Sequence, residues 1–285
     1  MKFYKESVFI ITGAGSGIGR CLTKLALSKG GEVVAIDKVE ASLHDLSVQL
    51  KGQKIKTVLL DVGDAKAIEI FAKEMLAELH GQRLVLINNA GVALASGRFA
   101  DTPLTDFEWL LKINLWGLIA MTKAFLPYML STRKGHIVNI SSVFGLAGVA
   151  NQSAYSTSKF GVRGFSDVLR MELLDTPIKV TCVHPGGIKT NIARSSRMAG
   201  SVFNQNLMDE AISRFDKIAR TSPEKAAQRI LEATEKGRPR LLIGPDSYLF
   251  EWLTRLFPSA YVPWLKYILG KTFGDIYDKN GKPLL

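Results

Sequence analysis

Cysteine is scarce in this chain of 285 residues: there are two, Cys21 in an apolar helical stretch and Cys182 in an apolar strand-like run. Two such residues exclude a disulfide scaffold and suit reduced core thiols in a cytoplasmic compartment. Histidine is nearly as rare, with four scattered residues, and no metal-ligand cluster can be assembled from them. Long unbroken apolar runs are lacking as well. The most apolar stretch, Leu110 to Leu130, carries Lys112, Asn114 and Lys123, which would be costly in lipid, so it reads as a buried or interface helix. The N-terminal MKFYKESVFIITGAG has Glu6 in its apolar run and leads directly into glycines, which reads as a first strand rather than a signal peptide. No repeat or low-complexity linker splits the chain.

What is present is a globular composition, 47% hydrophobic, with a formal net charge of +11. The basic residues are spread along the chain and interleave with acids, as in EKAAQRILEATEKGRPR. Electrostatic binding of nucleic acid needs a clustered footprint, so no nucleic-acid partner is expected.

Short Val/Ile/Leu-rich runs alternate with longer amphipathic ones. The runs are Ser7 to Thr12, Glu32 to Asp37, Ile55 to Asp61, Arg83 to Asn88, His136 to Ser141, Ile178 to Val183 and Arg240 to Ile243. Between them lie helical patterns such as Ala65 to Leu79, with Ile68, Phe71, Met75 and Leu79 at helical spacing. Continuous apolar runs predict strands buried on both faces, and their alternation with helices predicts repeated βαβ units. The fold expected is therefore α/β: a Rossmann-like, doubly wound parallel sheet of about seven strands, with ligands beyond the strands' carboxyl ends.

Those ends carry the chemistry. After the first strand comes TGAGSGIGR, in which a glycine turn lets backbone N–H groups and a helix N-terminus approach a pyrophosphate. Ile18 stands where the strict G-x-G-x-x-G pattern needs its last glycine, and Arg20 and Cys21 follow Gly19 where a P-loop needs Lys and Ser or Thr. Kinase or NTPase chemistry is thereby disfavoured. Asp37 ends the second strand, roughly 20 residues on, where a carboxylate hydrogen-bonds an adenosine ribose. It favours NAD and would repel the 2′-phosphate of NADP, which Lys38 could instead attract. Asp61 and Val62 are placed to border an adenine, and the NNAG of Asn88 to Gly91 carries amides able to tie neighbouring loops together. Further on, YSTSK sets Tyr155 and Lys159 four residues apart, on one face of a helix.

In order along the chain stand Thr12 to Gly19 as TGxxxGxG, NNAG, Asn114, NISS ending at Ser142, Tyr155 with Lys159, and HPGGIKT with Pro185, Gly186 and Thr190. Over about residues 6 to 245 the chain resembles the short-chain dehydrogenase/reductase family. That resemblance implies a nicotinamide cofactor, NAD preferred and NADP possible, contacted by Gly13, Ser16, Gly17, Ile18, Gly19, Asp37, Asp61, Val62, Asn89, Ala90, Gly91, Tyr155, Lys159, Pro185, Gly186, Ile188 and Thr190, with Ile188 and Thr190 at the carboxamide. It implies that Tyr155 is the general acid/base for interconversion of a secondary alcohol with a ketone or aldehyde. Lys159 binds the nicotinamide ribose and helps lower the tyrosine pKa, Ser142 stabilises the substrate oxygen, and Asn114 holds a water that relays protons. Ser141 competes with Ser142, because strand alternation without a register does not separate them. A cofactor-binding sensor or scaffold without turnover is the second function class, and such proteins typically lose the Tyr or the Lys.

The resemblance further implies a substrate lid over Gly187 to Phe215, and a homodimer or homotetramer paired through the helices around Leu110 to Leu130 and Phe160 to Leu174. Val143, Phe144, Leu146 and Val149 near the tyrosine suggest a lipophilic alcohol or ketone, or ordinary core packing. The chain divides into a dinucleotide-binding and catalytic domain, 1–245, and an aromatic-rich helical extension, 246–285. In the extension Leu249, Trp252, Leu253 and Leu256 fall on one helix face, and Trp264, Leu265, Ile268 and Leu269 on another. It is read as a cover over the substrate mouth, an oligomer contact, or a peripheral membrane contact.

Overall fold

The computed structural model describes residues 2–199 and 205–265. Seven strands form one sheet: β1 Ser7–Thr12, β2 Glu32–Asp37, β3 Ile55–Leu59, β4 Arg83–Asn88, β5 Gly135–Ile140, β6 Lys179–Pro185 and β7 Arg240–Ile243. They pair in parallel in the order β3-β2-β1-β4-β5-β6-β7. The helices are α1 Gly17–Ser28, α2 Glu40–Gln49, α3 Ala65–Glu78, α4 Leu104–Leu111, α5 Leu118–Thr132, α6 Ser153–Glu172, α7 Gln205–Ile218, α8 Pro223–Glu235 and α9 Pro245–Leu256.

Strand alternation sorts the core into two layers. In β1, Phe9 and Ile11 pack on one side with Leu22 and Ala26 of α1 and Ile230 and Leu231 of α8. Val8 and Ile10 pack on the other with Ile68, Phe71 and Met75 of α3 and Met121 and Phe125 of α5. Each fully buried aliphatic or aromatic side chain contributes about 1.5–3 kcal/mol, so the helical spacing read in α3 is what fastens it to the sheet. Asp64 starts α3 by accepting from the backbone N–H groups of Lys66 and Ala67, at 3.0 and 3.1 Å.

The sequence expectations need four corrections. β3 lies at the edge of the sheet and is largely exposed, because no strand covers its outer side. It ends at Leu59, and Asp61 belongs to the following turn, where its carbonyl accepts Asp64 N–H at 2.9 Å. β6 continues to Pro185, since its neighbour β7 supplies the Ile243 carbonyl to Gly186 N–H at 2.8 Å. The apolar stretch around Leu110 to Leu130 is not one regular helix: α4 and α5 are joined by a π-helical turn over Lys112–Gly117. Such single-turn bulges redirect side chains and recur at functional sites; here the turn carries the buried Asn114.

Candidate active site

The strand order reverses between β1 and β4, and the carboxyl ends of these two strands form one crevice. In the turn after β1, Gly13 adopts φ +67°, and a Cβ on Gly19 would lie 2.1 Å from the Gly13 carbonyl oxygen. Only glycine permits the start of α1 to approach the turn this closely. Ser16 precedes α1 and makes no side-chain capping bond. The first N–H groups of the helix therefore face the crevice without an intrahelical partner. Asp37 closes the turn from β2: its Oδ2 accepts Gly15 N–H at 2.9 Å and its Oδ1 accepts Val39 N–H at 3.1 Å. Arg20 pairs with Asp45 and donates to the Gly15 carbonyl at 3.3 Å. Asp61 is exposed and accepts Gly63 N–H at 2.8 Å, while Val62 is buried against the start of α5. Glycine turn, open helix start and strand-end carboxylate fit a dinucleotide.

The NNAG segment is tied to this turn by its amides, as expected. Thr12 Oγ1 accepts the N–H groups of Asn89 and Ala90, both at 3.0 Å, and Asn89 Nδ2 donates to the carbonyls of Thr12 and Gly13 at 2.9 and 3.2 Å. Asn88 donates to Asn139 Oδ1 at 2.9 Å and Thr122 Oγ1 at 3.1 Å, joining β4, β5 and α5. Gly91 lies against the Tyr/Lys helix: a Cβ there would be 3.3 Å from Asn114 Oδ1 and 3.6 Å from Lys159 Nζ. Asn114 Oδ1 accepts Val92 N–H at 2.8 Å, and its Nδ2 donates to the Val92 carbonyl at 2.9 Å and to Ser158 Oγ at 3.4 Å.

α6 presents Tyr155 and Lys159 from its first two turns. Lys159 is buried, with its Nζ 5.5 Å from the Tyr155 ring centroid. Burial lowers the Lys159 ammonium to about 8. The tyrosine ring keeps some exposure, but its hydroxyl is desolvated: burial pushes the Tyr155 phenol up to about 12, and a hydrogen bond with Ser142 pulls it back down. The two serines occupy different sites. Ser141 is spent on the backbone, donating to the Lys159 carbonyl at 2.8 Å. Ser142 faces Tyr155 and accepts Phe144 N–H at 3.2 Å.

Pro185 and Gly186 lead from β6 into the segment carrying Ile188, which is buried, and Thr190. A Cβ on Gly17 would lie 3.2 Å from Thr190 Cγ2, so this segment reaches the glycine turn. On the substrate side, Phe144 meets Tyr155 edge-on, with centroids 5.9 Å apart. Val143 and Leu146 are core: they pack with Ala147, Phe250 and Leu265, and Val149 lies partly buried against them. Of the segment Gly187 to Phe215 expected to form a lid, residues 200–204 lie outside the described residues; Arg197 N–H reaches the Ala93 carbonyl at 3.2 Å and Ala199 N–H the Ala95 carbonyl at 3.0 Å, pairing this part with the chain after β4. Arg197 is held by the buried Asp106 at 2.9 Å and stacks over Trp109 at 5.0 Å. Leu94, Leu110 and Ala199 cluster there beside Tyr155.

The extension packs inward through Phe250 and Leu265. Of the helix face formed by Leu249, Trp252, Leu253 and Leu256, Leu253 is half-buried and the rest point outward, with Trp252 60% and Leu256 63% exposed. Ile268 and Leu269 lie outside the described residues. Sequence reading missed Asp246, His184, Thr12 and Asp106. Thr12 is a motif residue and His184 directly precedes Pro185, so both carry a local signal. Asp246 and Asp106 are ordinary helix-start acids whose partners come from distant segments.

Open-sheet topology, a glycine turn at the switch point and a Ser/Tyr/Lys/Asn cluster beside it define a nucleotide-dependent α/β oxidoreductase scaffold. The family model for short chain dehydrogenases matches residues 7–200, and the chain belongs to the short-chain dehydrogenase/reductase family. It is 40% identical over 267 residues to the candidate oxidoreductase SadH of Mycobacterium tuberculosis, covering 92% of this chain and 94% of that one. A short-chain dehydrogenase/reductase of Burkholderia phymatum solved with NAD superposes with a TM-score of 0.79 at 25% identity, covering 88% and 93%. The closed form of a serine dehydrogenase complexed with NADP+ gives 0.72 at 28% identity, covering 84% and 95%. A nicotinamide dinucleotide is thus the cofactor class of the neighbouring structures.

Proposed function

We propose that the protein is an NAD(P)-dependent oxidoreductase that interconverts a secondary alcohol and a ketone or aldehyde, with Tyr155 as general acid/base. The observation that carries this reading is the convergence of Ser142, Tyr155, Lys159 and Asn114 beside the glycine turn. Bound there, nicotinamide supplies the hydride acceptor or donor and, when oxidised, a positive charge. Moving the Tyr155 phenol from about 12 to neutrality takes roughly 7 kcal/mol. Ser142 gives part of that by its hydrogen bond, and the Lys159 ammonium adds a cation on the same helix face. Tyr155 Oη then takes the alcohol proton in one direction and returns it to the carbonyl oxygen in the other, with Ser142 Oγ donating to that oxygen as its charge develops.

NAD is the preferred cofactor in this reading. Asp37 stands at the glycine turn where a 2′-phosphate would meet a carboxylate, and Arg20, a nearby cation, is engaged by Asp45. The substrate is lipophilic in this reading: Phe144, which meets Tyr155 edge-on, and the half-buried Val92 and Trp109 of the cluster beside the tyrosine are its apolar neighbours. Assembly as a homodimer or homotetramer has support in the outward apolar side chains of α6 and the segment after it, where Met171 is 71% and Leu174 72% exposed. A panel of secondary alcohols and ketones assayed with NAD and NADP tests the function. Turnover of apolar members with NAD is expected, whereas cofactor binding without turnover of any member would leave a sensor or scaffold.

A further inference from the structure

The loop that carries Ile188 and Thr190 is braced from two sides. Segment 221 holds it through backbone bonds, Lys189 N–H to the Thr221 carbonyl at 2.9 Å and Thr221 N–H to the Gly187 carbonyl at 3.3 Å. From the other side comes the chain after β7. Gly186 N–H donates to the Ile243 carbonyl at 2.8 Å, and Gly187 N–H donates to Asp246 Oδ2 at 2.7 Å. Asp246 sits in the first turn of α9 and is pressed against the loop: a Cβ on Gly186 would lie 2.0 Å from each of its carboxylate oxygens. Gly244 makes room for the carboxylate, with φ +96° and a Cβ position 2.5 Å from Asp246 Oδ1. Two glycines and a short charge-assisted bond therefore converge on one carboxylate.

We propose that Asp246 is a positioning residue for the cofactor-facing loop Gly186 to Thr190, so that the first helix of the C-terminal extension is part of the site. A bond to Gly187 N–H fixes the plane of the Gly186–Gly187 peptide and with it the direction in which Ile188 turns into the core. Thr190 is thereby delivered to the glycine turn, beside Gly17. The same helix sends Phe250 against Val143 and Leu146, the core residues that follow Ser142. One element thus braces both the loop that reaches the glycine turn and the chain that follows Ser142.

This inference rests on the proposed binding of a nicotinamide dinucleotide. The test is calorimetric titration of the full chain with NAD, and with NADP, for the parent, Asp246→Ala, Asp246→Asn and Asp246→Glu, alongside thermal melts and cofactor saturation kinetics. Asp246→Ala is expected to weaken binding of the nucleotide that the parent prefers by about tenfold or more. Its turnover at saturating cofactor should stay within about threefold of the parent, because Tyr155 and Ser142 are untouched. Asp246→Asn keeps an acceptor oxygen and is expected to bind within about threefold of the parent. Asp246→Glu keeps the charge but adds a methylene where Gly186 already touches the carboxylate, and should bind as weakly as the alanine variant. If the alanine variant fails to fold, the contrast between Asn and Glu decides. Parental affinity in the Ala or Glu variant overturns the proposal, as does an equal loss in Asn and Ala that tracks a fall in melting temperature. A parent chain that binds neither nucleotide overturns the functional reading, and this inference falls with it.

Discussion

Lys159 Nζ donates a hydrogen bond to the carbonyl oxygen of Ile140 at 3.0 Å, which pins the ammonium at the carboxyl end of β5. The same ammonium lies 5.5 Å from the centroid of the Tyr155 ring. Tyr155→Phe should leave the fold and cofactor binding intact and lower turnover about 100-fold or more, since it removes only the oxygen that moves the proton. Lys159→Ala should weaken cofactor binding and move the base-side limb of the pH profile upward in the residual activity, because the phenol loses its neighbouring cation. Near-parental turnover in Tyr155→Phe on a good substrate would remove the catalytic assignment.

The adjacent serines should separate cleanly. Ser142→Ala removes the hydroxyl facing Tyr155 and is expected to lower kcat by roughly 100- to 1,000-fold, at a stability cost of about 1 kcal/mol from the lost bond to Phe144 N–H. Ser141→Ala removes the bond to the Lys159 carbonyl and should cost about 1 kcal/mol of stability. Steady-state kinetics on the two variants measure the contrast and urea midpoints the stability costs, and a reversal of the kcat effect would exchange their roles.

Much of this arrangement was legible in the residues. The apolar runs named all seven strands, because all but the edge strand β3 are largely buried and leave little polar alternation to confuse, and the glycines and the Tyr/Lys spacing marked the crevice. What the sequence withheld was register and distant partnership. Family resemblance favoured Ser142 over Ser141, but strand alternation separates them only with β5 aligned beside β6, where Ser141 N–H meets the Val183 carbonyl at 2.8 Å. The π-helical turn around Asn114 has no proline or glycine pair to announce it within Lys112 to Leu115. For Val143 and Leu146 the sequence left substrate wall and core packing open, because the partners that make them core, Phe250 and Leu265, arrive from more than 100 residues away. α9 likewise showed an apolar stripe whose inward and outward sides depend on where Asp246 anchors it.

Asp37 should control cofactor choice. Asp37→Ala removes an acceptor and a negative charge at the glycine turn, so it should weaken NAD and raise the relative efficiency with NADP. The variant also frees Gly15 N–H, whose partner at 2.9 Å is this carboxylate. Comparing kcat/KM for the two cofactors in parent and variant measures the switch, and equal efficiencies in the parent would already contradict the NAD preference.

Acid should unfold this protein through two buried histidines before its carboxylates contribute. His136 contacts Thr181 Oγ1 at 2.7 Å, and burial lowers its pKa to about 3. His184 lies 3.1 Å from the Ser142 carbonyl, and burial lowers it to about 4. A carbonyl can only accept, so His184 Nδ1 carries the proton and Ser142 is held by a neutral imidazole. Both folded values lie below the ordinary 6.5, so the native state binds fewer protons than the unfolded chain. Stability is then full above about pH 6.5 and is lost as pH falls toward the folded values, at about 1.4 kcal/mol per pH unit for each residue. Between pH 7 and pH 5 the two together should remove roughly 4 kcal/mol. The carboxylates held below their ordinary range, Asp45 by Arg20, Glu224 by its helix-start hydrogen bonds and Glu251 by Arg255 and Arg240 against its burial, add their loss only nearer pH 4 and below, so the pH 7 to 5 window isolates the histidines. Urea midpoints across that window should fall steeply in the parent and about half as steeply in His184→Gln, which keeps a donor for the Ser142 carbonyl and cannot be protonated. An unchanged slope in that variant would show that His184 does not titrate with unfolding.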